Sequence, residues 1–318
     1  MTRQRFLLFL LALLGLLQLP SRADDKALYP PRKTVRLLTV GNSFSGNATL
    51  YLGAIAKAGG HELIHRQAGI GGGTMQQHWE KKELHDKDPQ DKKGLYTTKG
   101  LAEELVAEKW DIVTIQQASI RSHDVTTYRP WAKTLRDYIK EKAPQAEVVL
   151  HQTWEYRVDD PRFTKAPTAE GEPRTQQEMY DQLTKAYETI AAELGGLRII
   201  PVGDAFHAAD TDPAWGYQKK GEFDSKTAKA PALPDQTHSL HVGWSWKTKD
   251  GQTTLGMDGH HASPAGCYLA ACVFYEFLFR DSVVGNTFLP PKGVTKEEAA
   301  YLQKVAHAAV AKRQPVVK

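Results

Sequence analysis

The chain has 318 residues, of which 41% are hydrophobic and 25% charged, and its formal net charge is +4. The first 23 residues contain three arginines, Arg3, Arg5 and Arg22, and no acidic residue, so the rest of the chain has a net charge of about +1. A net charge this close to zero argues against nucleic acid or an anionic membrane as the main partner. The remaining length suits one large α/β domain with insertions.

The first 23 residues have the pattern of a secretory signal peptide. Two arginines precede an apolar run at 6–17, and Ser21-Arg22-Ala23 places small residues where a signal peptidase reads them. The run is shorter than the roughly 20 residues that a membrane-spanning helix needs. We therefore predict that residues 1–23 are removed, that the protein is periplasmic or extracellular, and that it leaves the membrane. An uncleaved membrane anchor is the alternative.

Strands and helices alternate along the rest of the chain, after a polar, proline-rich tether at 24–33. Strands are predicted at 35–40, 61–67, 111–115, 147–151 and 197–202. Helices are predicted at 48–58, 97–109, 128–142, 175–194 and 264–280, with a last helix capped by Thr295. This alternation predicts a parallel sheet of five strands with helices on both faces, in a single domain over 34–318.

Three segments interrupt the alternation. Residues 80–96 and 157–174 are predicted to be charged loops, and 205–257 is predicted to be an insertion rich in aromatic residues and histidine. Within the insertion, Asp250-Gly251 is a turn signal between two strand-like runs, which predicts a β-hairpin.

The two cysteines, Cys267 and Cys272, lie in the predicted helix 264–280. At five residues apart, their side chains point about 140° from one another, so they cannot form a disulfide without unwinding the helix. We expect both to be buried, reduced side chains.

A serine and a histidine occupy positions that are typical of catalytic residues. Ser43 lies in Gly41-Asn42-Ser43-Phe44-Ser45, directly after the first strand, where open parallel sheets bind ligands. Asp258 and His261 come just before a helix that Ser263 and Pro264 open. A carboxylate bonded to one ring nitrogen leaves the other nitrogen free to act as a base for a serine hydroxyl. A turn serine and a capping aspartate are the structural alternatives, and His260 is the rival base.

Two further segments provide candidate donors to an oxyanion. Gly72, in a run of glycines after the second strand, permits close approach of a backbone N–H. Gln116 and Gln117 end the third strand, at the edge of the sheet where Ser43 lies. A flexible loop and ordinary strand-end polarity are the corresponding structural alternatives.

The order of these blocks resembles the SGNH, or GDSL, hydrolase superfamily, and in particular a little-characterised GNSFS-type branch of it. The resemblance covers about 34–285, and its specific parts are the Ser43 block and the block from Asp258 to His261. It implies a three-layer, flavodoxin-like fold, a triad of Ser43, His261 and Asp258, and no metal or organic cofactor.

The resemblance also implies an oxyanion hole made by the N–H groups of Ser43 and Gly72 and a third donor. The superfamily usually has Gly-x-Asn-Asp in its third block, where this chain has Gln116-Gln117. We expect Gln117 to replace the missing asparagine, with Gln116 as the alternative.

These observations predict an exported serine esterase that acts on small or carbohydrate esters and removes acyl groups, acetyl among them. Trp244, Trp246 and His238, in the insertion, are candidate residues for binding a sugar. Two alternatives use the same residues. One is a glycan-binding protein without catalysis, and the other is a metal-dependent hydrolase whose ligands come from Asp258, His260, His261, His238 and His241.

Overall fold

The computed structural model describes residues 30–167 and 171–313. The predicted signal peptide and most of the predicted tether lie outside these ranges. The five strands of the main sheet are β1 (Thr34–Gly41), β2 (Glu62–Gly69), β3 (Ile112–Ile115), β4 (Glu147–His151) and β5 (Ile199–Ile200).

All four pairings in this sheet are parallel, and the strand order is β2-β1-β3-β4-β5. This is the flavodoxin-like order, in which ligands bind where the order reverses, outside the carboxyl ends of the strands. The register aligns these ends, since Gly41 pairs with Gly69 and Ile115 pairs with Leu150. The predicted fold is confirmed, and residues that follow β1, β2, β3 and β4 meet at one edge.

Nine α-helices surround the sheet within the described ranges. They are α1 (Ser43–Thr49), α2 (Leu52–Ala58), α3 (Met75–Lys87), α4 (Leu101–Val106), α5 (Trp131–Lys142), α6 (Gln176–Glu193), α7 (Val202–Asp210), α8 (Pro264–Phe279) and α9 (Lys296–Arg313). Helix α8 packs against α1, α2, α7 and α9, whereas α5 packs against α3 and α4. None of the helices in these ranges is both long and apolar enough to cross a membrane.

Helix α8 forms the centre of the core on its side of the sheet. Its residues from Ala265 to Phe279 are all buried, as its nearly charge-free sequence predicts. Cys267 and Cys272 are both buried in this helix, and neither is in a disulfide among the described residues.

Three boundaries differ from the sequence prediction. The segment 80–96 is not all loop, because Thr74 and Gln77 form a capping box that starts α3. Its polar composition gives little amphipathic signal, which is why the helix was missed. The predicted helix 48–58 is two helices, α1 and α2. The insertion begins after α7 rather than at 205, since α7 packs on α8 and α9 as part of the domain.

The remaining strands, β6 (His241–Lys249) and β7 (Gln252–Ala262), form the predicted antiparallel hairpin. Strand β7 extends further than expected and includes Asp258, His260 and His261. The hairpin therefore delivers these three residues to the main sheet.

Candidate active site

Ser43 is the first residue of α1 and lies immediately beyond the end of β1. Asn42 caps the helix, and its Oδ1 accepts a hydrogen bond of 2.9 Å from the Phe44 N–H. The Ser43 N–H takes part in no hydrogen bond among the described residues, as expected for the first N–H of a helix. The same turn thus presents a hydroxyl and a free N–H.

The structure brings Ser43, His261 and Asp258 together in one hydrogen-bonded line. The His261 Nε2 lies 2.9 Å from Ser43 Oγ, and its Nδ1 lies 2.9 Å from Asp258 Oδ2. A carboxylate only accepts, so Nδ1 carries the proton and Nε2 is free to accept from the serine hydroxyl.

The Asp258 carboxylate is held by more than one donor. Its Oδ1 accepts from the His261 N–H at 3.0 Å, and the His260 Nδ1 lies 3.1 Å from the same oxygen. Burial opposes ionisation of Asp258, but the hydrogen bonds from His261 and the nearby His260 hold its pKa well below its usual range. The lowered pKa favours the charged carboxylate, as a triad acid requires.

A buried network fixes the edge of the sheet beneath Ser43. Gln116 donates from Nε2 to Asn42 Oδ1 at 2.8 Å. Its Oε1 accepts from His151 Nδ1 at 3.0 Å and from the Ser45 hydroxyl. All four side chains are at most 2% exposed. Gln116 thus ties the ends of β1, β3 and β4 to the cap of α1.

Gly41 is required by this packing. A Cβ atom at this position would lie 2.4 Å from Ser45 Oγ and 2.7 Å from Gln116 Oε1. Since real Cβ atoms do not approach oxygen this closely, any side chain at residue 41 would displace the buried network under Ser43.

The prediction that a glutamine completes the oxyanion hole is wrong in this structure. Gln117 Nε2 donates to the Thr127 carbonyl at 2.8 Å, and its Oε1 accepts from the Met75 N–H. The Gln116 amide is committed to Asn42, as described above. Both amide groups are therefore used inside the fold, that of Gln116 by side chains and that of Gln117 mainly by backbone groups.

Backbone N–H groups of Ser43 and Gly72 remain as the candidate oxyanion donors. Gly72 is exposed and has φ of +64°, a conformation that favours glycine. Its N–H is unused within the part of the chain that the structure describes. Asn42 Nδ2 donates to the Gly73 carbonyl at 3.0 Å and so joins the glycine loop to the Ser43 turn.

Trp154 connects the nucleophile and the base, and sequence reasoning did not identify it. Its buried ring stacks between Phe44 and Phe206, with centroid distances of 4.2 and 4.5 Å. Its Nε1 donates to the His260 carbonyl at 2.9 Å. Its place just after β4, at the edge where Ser43 lies, was the signal that could have found it.

Two more contacts dock the hairpin. The Ala262 N–H donates to Asn47 Oδ1 of α1 at 3.1 Å. The Arg157 N–H donates to the Gly259 carbonyl at 2.8 Å. The fully buried Arg157 side chain forms an ion pair of 2.6 Å with Asp159 and also reaches Gln236. These contacts set the position of β7, and with it the position of His261.

The candidate sugar-binding residues lie away from the triad side of the hairpin. Trp244 pairs with Met257, whereas Asp258 pairs with Gly243, so strand alternation places Trp244 on the face opposite Asp258. Trp246 shares the face of Trp244. The structure therefore does not bring these two aromatic residues to Ser43.

His238 and His241 are also separate from the triad. The His238 ring contacts Trp215, and its Nδ1 lies 3.5 Å from Glu298 Oε1. His241 is buried, and its Nε2 donates to the Glu155 carbonyl at 2.9 Å. Neither residue joins Asp258 in a group that could hold a metal ion.

Asp258, His260 and His261 do form such a group among the described residues. One ligand atom from each lies within 4.8 Å of the others. Nitrogen and carboxylate ligands of this kind suit zinc. In the structure, however, Asp258 Oδ2 accepts a hydrogen bond from the His261 imidazole and His260 Nδ1 lies 3.1 Å from Oδ1, so a metal ion would have to replace the bond that orients His261.

Comparison with known proteins places the chain in a family. The model of the family described as "Domain of unknown function (DUF4886)" matches residues 36–220. The crystal structure of a DUF4886 family protein from Bacteroides uniformis has a TM-score of 0.66 and 24% identity, over 89% of this chain and 97% of that chain.

Two other solved structures are more distant. A proposed SGNH hydrolase from Slackia heliotrinireducens has a TM-score of 0.46 and 21% identity, over 76% of this chain and 98% of that chain. A proposed GDSL-like lipase from Parabacteroides merdae has a TM-score of 0.42 and 16% identity, over 78% and 96% of the respective chains. No curated protein matches the sequence. Since the family model spans more than half of its length, the chain belongs to the DUF4886 family.

Proposed function

We propose that this protein is a serine hydrolase that cleaves carboxylic esters with Ser43 as nucleophile, His261 as base and Asp258 as the acid that orients it. The observation that carries the proposal is the pair of 2.9 Å hydrogen bonds that joins the three side chains. Hydroxyl, imidazole and carboxylate in this line are the arrangement that activates a serine for attack.

The reaction would proceed in two stages. His261 Nε2 takes the Ser43 proton while Ser43 Oγ attacks the ester carbonyl, and the N–H groups of Ser43 and Gly72 stabilise the oxyanion. His261 then gives its proton to the leaving alcohol oxygen as the ester C–O bond breaks. Water, deprotonated by His261, attacks the acyl-enzyme and releases the acid and free Ser43.

The oxyanion hole would work with two backbone donors. Removal of one donor from such a site typically lowers the rate by about 10²–10³. Both glutamine amides form hydrogen bonds inside the fold. We therefore expect this enzyme to be slower than relatives that have a third oxyanion donor. Substrate binding would not have to order an amide side chain first.

We further propose that the natural substrates are short acyl esters, acetyl esters among them, of carbohydrate outside the cell. The signal-like segment 1–23 supports export. The test compares the kcat/KM values of acetylated sugars and long-chain lipid esters. Equal values would contradict a preference for carbohydrate.

A matched pair of serines tests the mechanism. Ser45 lies two residues from Ser43 and is buried against Gln116, so it cannot reach a substrate. We expect Ser43→Ala to lose hydrolysis of a small aryl acetate and labelling by a fluorophosphonate, while Ser45→Ala keeps both. Loss in Ser45→Ala alone, with both variants folded, would overturn the assignment.

A metal-dependent hydrolase is the second candidate, because Asp258, His260 and His261 can approach one ion. The two candidates differ in their response to a chelator. A serine hydrolase keeps its activity after prolonged treatment with EDTA, and a metal-dependent enzyme loses it until zinc or another divalent ion is restored.

A further inference from the structure

A positively charged side chain, that of Arg162, lies near the histidines of the site on the far side of the Tyr156 ring. Arg162 is exposed, and its guanidinium makes no ion pair and no hydrogen bond with the residues that the structure describes. By contrast, the guanidinium of Arg157 is buried and paired with Asp159. Arg162 is thus available to a ligand, whereas Arg157 is part of the fold.

Arg162 is nevertheless held in place. Its guanidinium lies 4.7 Å from the centre of the Tyr156 ring, a cation–π contact. The Tyr156 hydroxyl shares a hydrogen bond of 2.9 Å with Ser119. The Arg162 N–H donates to Asp160 Oδ1 at 2.9 Å, which closes the short helical turn Pro161–Phe163. Both the backbone and the head group of Arg162 are therefore oriented.

The neighbouring carboxylate does not neutralise this charge. Asp160 is only 4% exposed, and its Oδ1 caps the turn. Its Oδ2 points toward Gly259, where a Cβ atom would lie 2.5 Å from it. Asp160 therefore faces the hairpin, and Arg162 lies beyond ion-pair distance from it.

A continuous row of rings leads from Arg162 to the nucleophile. The Tyr156 ring lies 5.5 Å from His260, and His260 lies 4.3 Å from His261, which contacts Ser43. The two histidine side chains are 26% and 33% exposed, whereas the Tyr156 ring is buried beneath the exposed guanidinium of Arg162.

The proposed reaction determines which part of a substrate lies next to the histidines of this row. His261 must protonate the oxygen of the leaving alcohol, so the alcohol lies next to its ring. An alcohol that extends from the ester oxygen past His261 and His260 runs toward the guanidinium of Arg162. A guanidinium is always charged and binds a planar carboxylate with two parallel hydrogen bonds.

We propose that Arg162 is a specificity residue that selects esters whose alcohol portion carries a carboxylate, as in an O-acylated sugar acid. The inference rests on the proposed esterase function and deepens it by naming the substrate class. The preference for an anionic ester would come from one contact, between the planar guanidinium of Arg162 and the carboxylate of the substrate.

Two esters that differ only in charge test this inference. The probes are 3-acetoxybenzoate and its neutral counterpart 3-acetoxybenzamide, which have the same scissile bond. We expect the wild-type ratio of their kcat/KM values to favour the anion, and Arg162→Gln to lower this ratio about tenfold. Arg162→Lys should give an intermediate ratio because lysine keeps the charge and loses the planar fork.

Lys165→Gln is the matched control. Lys165 is exposed in the same loop, and its removal makes the same change in net charge without touching the Tyr156 contact. We expect it to leave the ratio as in the wild type. An equal fall of the kcat/KM ratio in Lys165→Gln would mean that Arg162 acts only through the net charge of the loop, which would contradict a specific contact. An unchanged ratio in Arg162→Gln would overturn the proposal.

Failure of the esterase function would be visible separately. If neither acetate is hydrolysed, the binding of 3-hydroxybenzoate and 3-hydroxybenzamide is measured by calorimetry with the same variants. Tighter binding of the anion that Arg162→Gln abolishes would support the carboxylate site without catalysis. Equal binding of the two compounds by the wild type would reject it.

Discussion

The carboxyl edge of the sheet and the β6–β7 hairpin each supply part of the triad, but they hold their residues differently. Asn42, Ser45, Gln116 and His151, which surround the Ser43 turn, are at most 2% exposed. On the hairpin, the Asp258 and His261 side chains are 19% and 33% exposed. The position of the nucleophile is therefore tied to the stability of the core, whereas the base and its acid can be altered with little effect on folding.

Asp258→Asn is expected to have the largest effect on catalysis. The amide reverses the hydrogen-bonding role at His261 Nδ1, which favours the wrong tautomer and lowers kcat by about 10⁴. The melting temperature should change little because the side chain is partly exposed. Kinetics with an aryl acetate and thermal unfolding check both parts.

His260→Gln is the control for that variant, because it also removes an imidazole contact to the Asp258 carboxylate but none to Ser43. It should reduce kcat far less. A loss as large as that of Asp258→Asn would mean that both histidines act in the reaction.

Gly41→Ala should produce the opposite result, a loss of stability. The added Cβ overlaps Ser45 Oγ and Gln116 Oε1, and overpacking of this kind costs about 1–3 kcal/mol. Urea denaturation measures the free energy of unfolding. Gly53→Ala is the comparison, since nothing lies within 4 Å of a Cβ there and alanine favours helix α2. Equal behaviour of the two variants would contradict the crowding at Gly41.

The sheet edge should also lose stability in acid. Burial lowers the pKa of His78, which donates to the Gly41 carbonyl, from 6.5 to about 4. Between these values the unfolded chain takes up a proton that the folded chain does not, so stability falls as the pH drops from about 6.5 toward 4. His78→Gln should make the dependence of the unfolding free energy on pH shallower. An unchanged slope would show that His78 does not contribute.

The end of helix α7, at Asp210, should depend on pH in the opposite sense. Burial raises the pKa of Asp210 well above its usual range, and the charge of Glu155 adds to this. A raised carboxyl pKa contributes stability below the unfolded value, and this stability is lost as the pH rises. Asp210→Asn should therefore unfold at higher urea than the wild type at pH 8, with a smaller difference near pH 4. A constant difference at all pH values would point to packing instead.

Trp246→Ala should have the smallest effect. The indole donates to the Ala232 carbonyl on the hairpin face opposite Asp258. We expect less than a twofold change in kcat/KM, on small esters and on acetylated polysaccharide alike. A tenfold increase in KM for the polymer alone would restore Trp246 as a sugar-binding residue.

The sequence predicted the parts of the molecule that depend on local patterns. Buried apolar runs such as 147–151 marked the strands, and the turn after β1 and the Asp258–His261 spacing indicated the triad. The roles of Gln116 and Gln117 could not be predicted, because they depend on partners such as Asn42 and Thr127 that only the folded chain brings near. Arg157, an ordinary loop arginine in the sequence, becomes a buried anchor for the same reason.

The two thiols of α8 give this protein an internal reporter of its folding. Cys267 and Cys272 lie in the centre of the core, and burial raises the pKa of Cys267 to about 12. Because a thiolate is the reactive form, a maleimide or a disulfide reagent can modify them only in molecules whose core has opened. The speed of that labelling would therefore measure how often the native state comes apart.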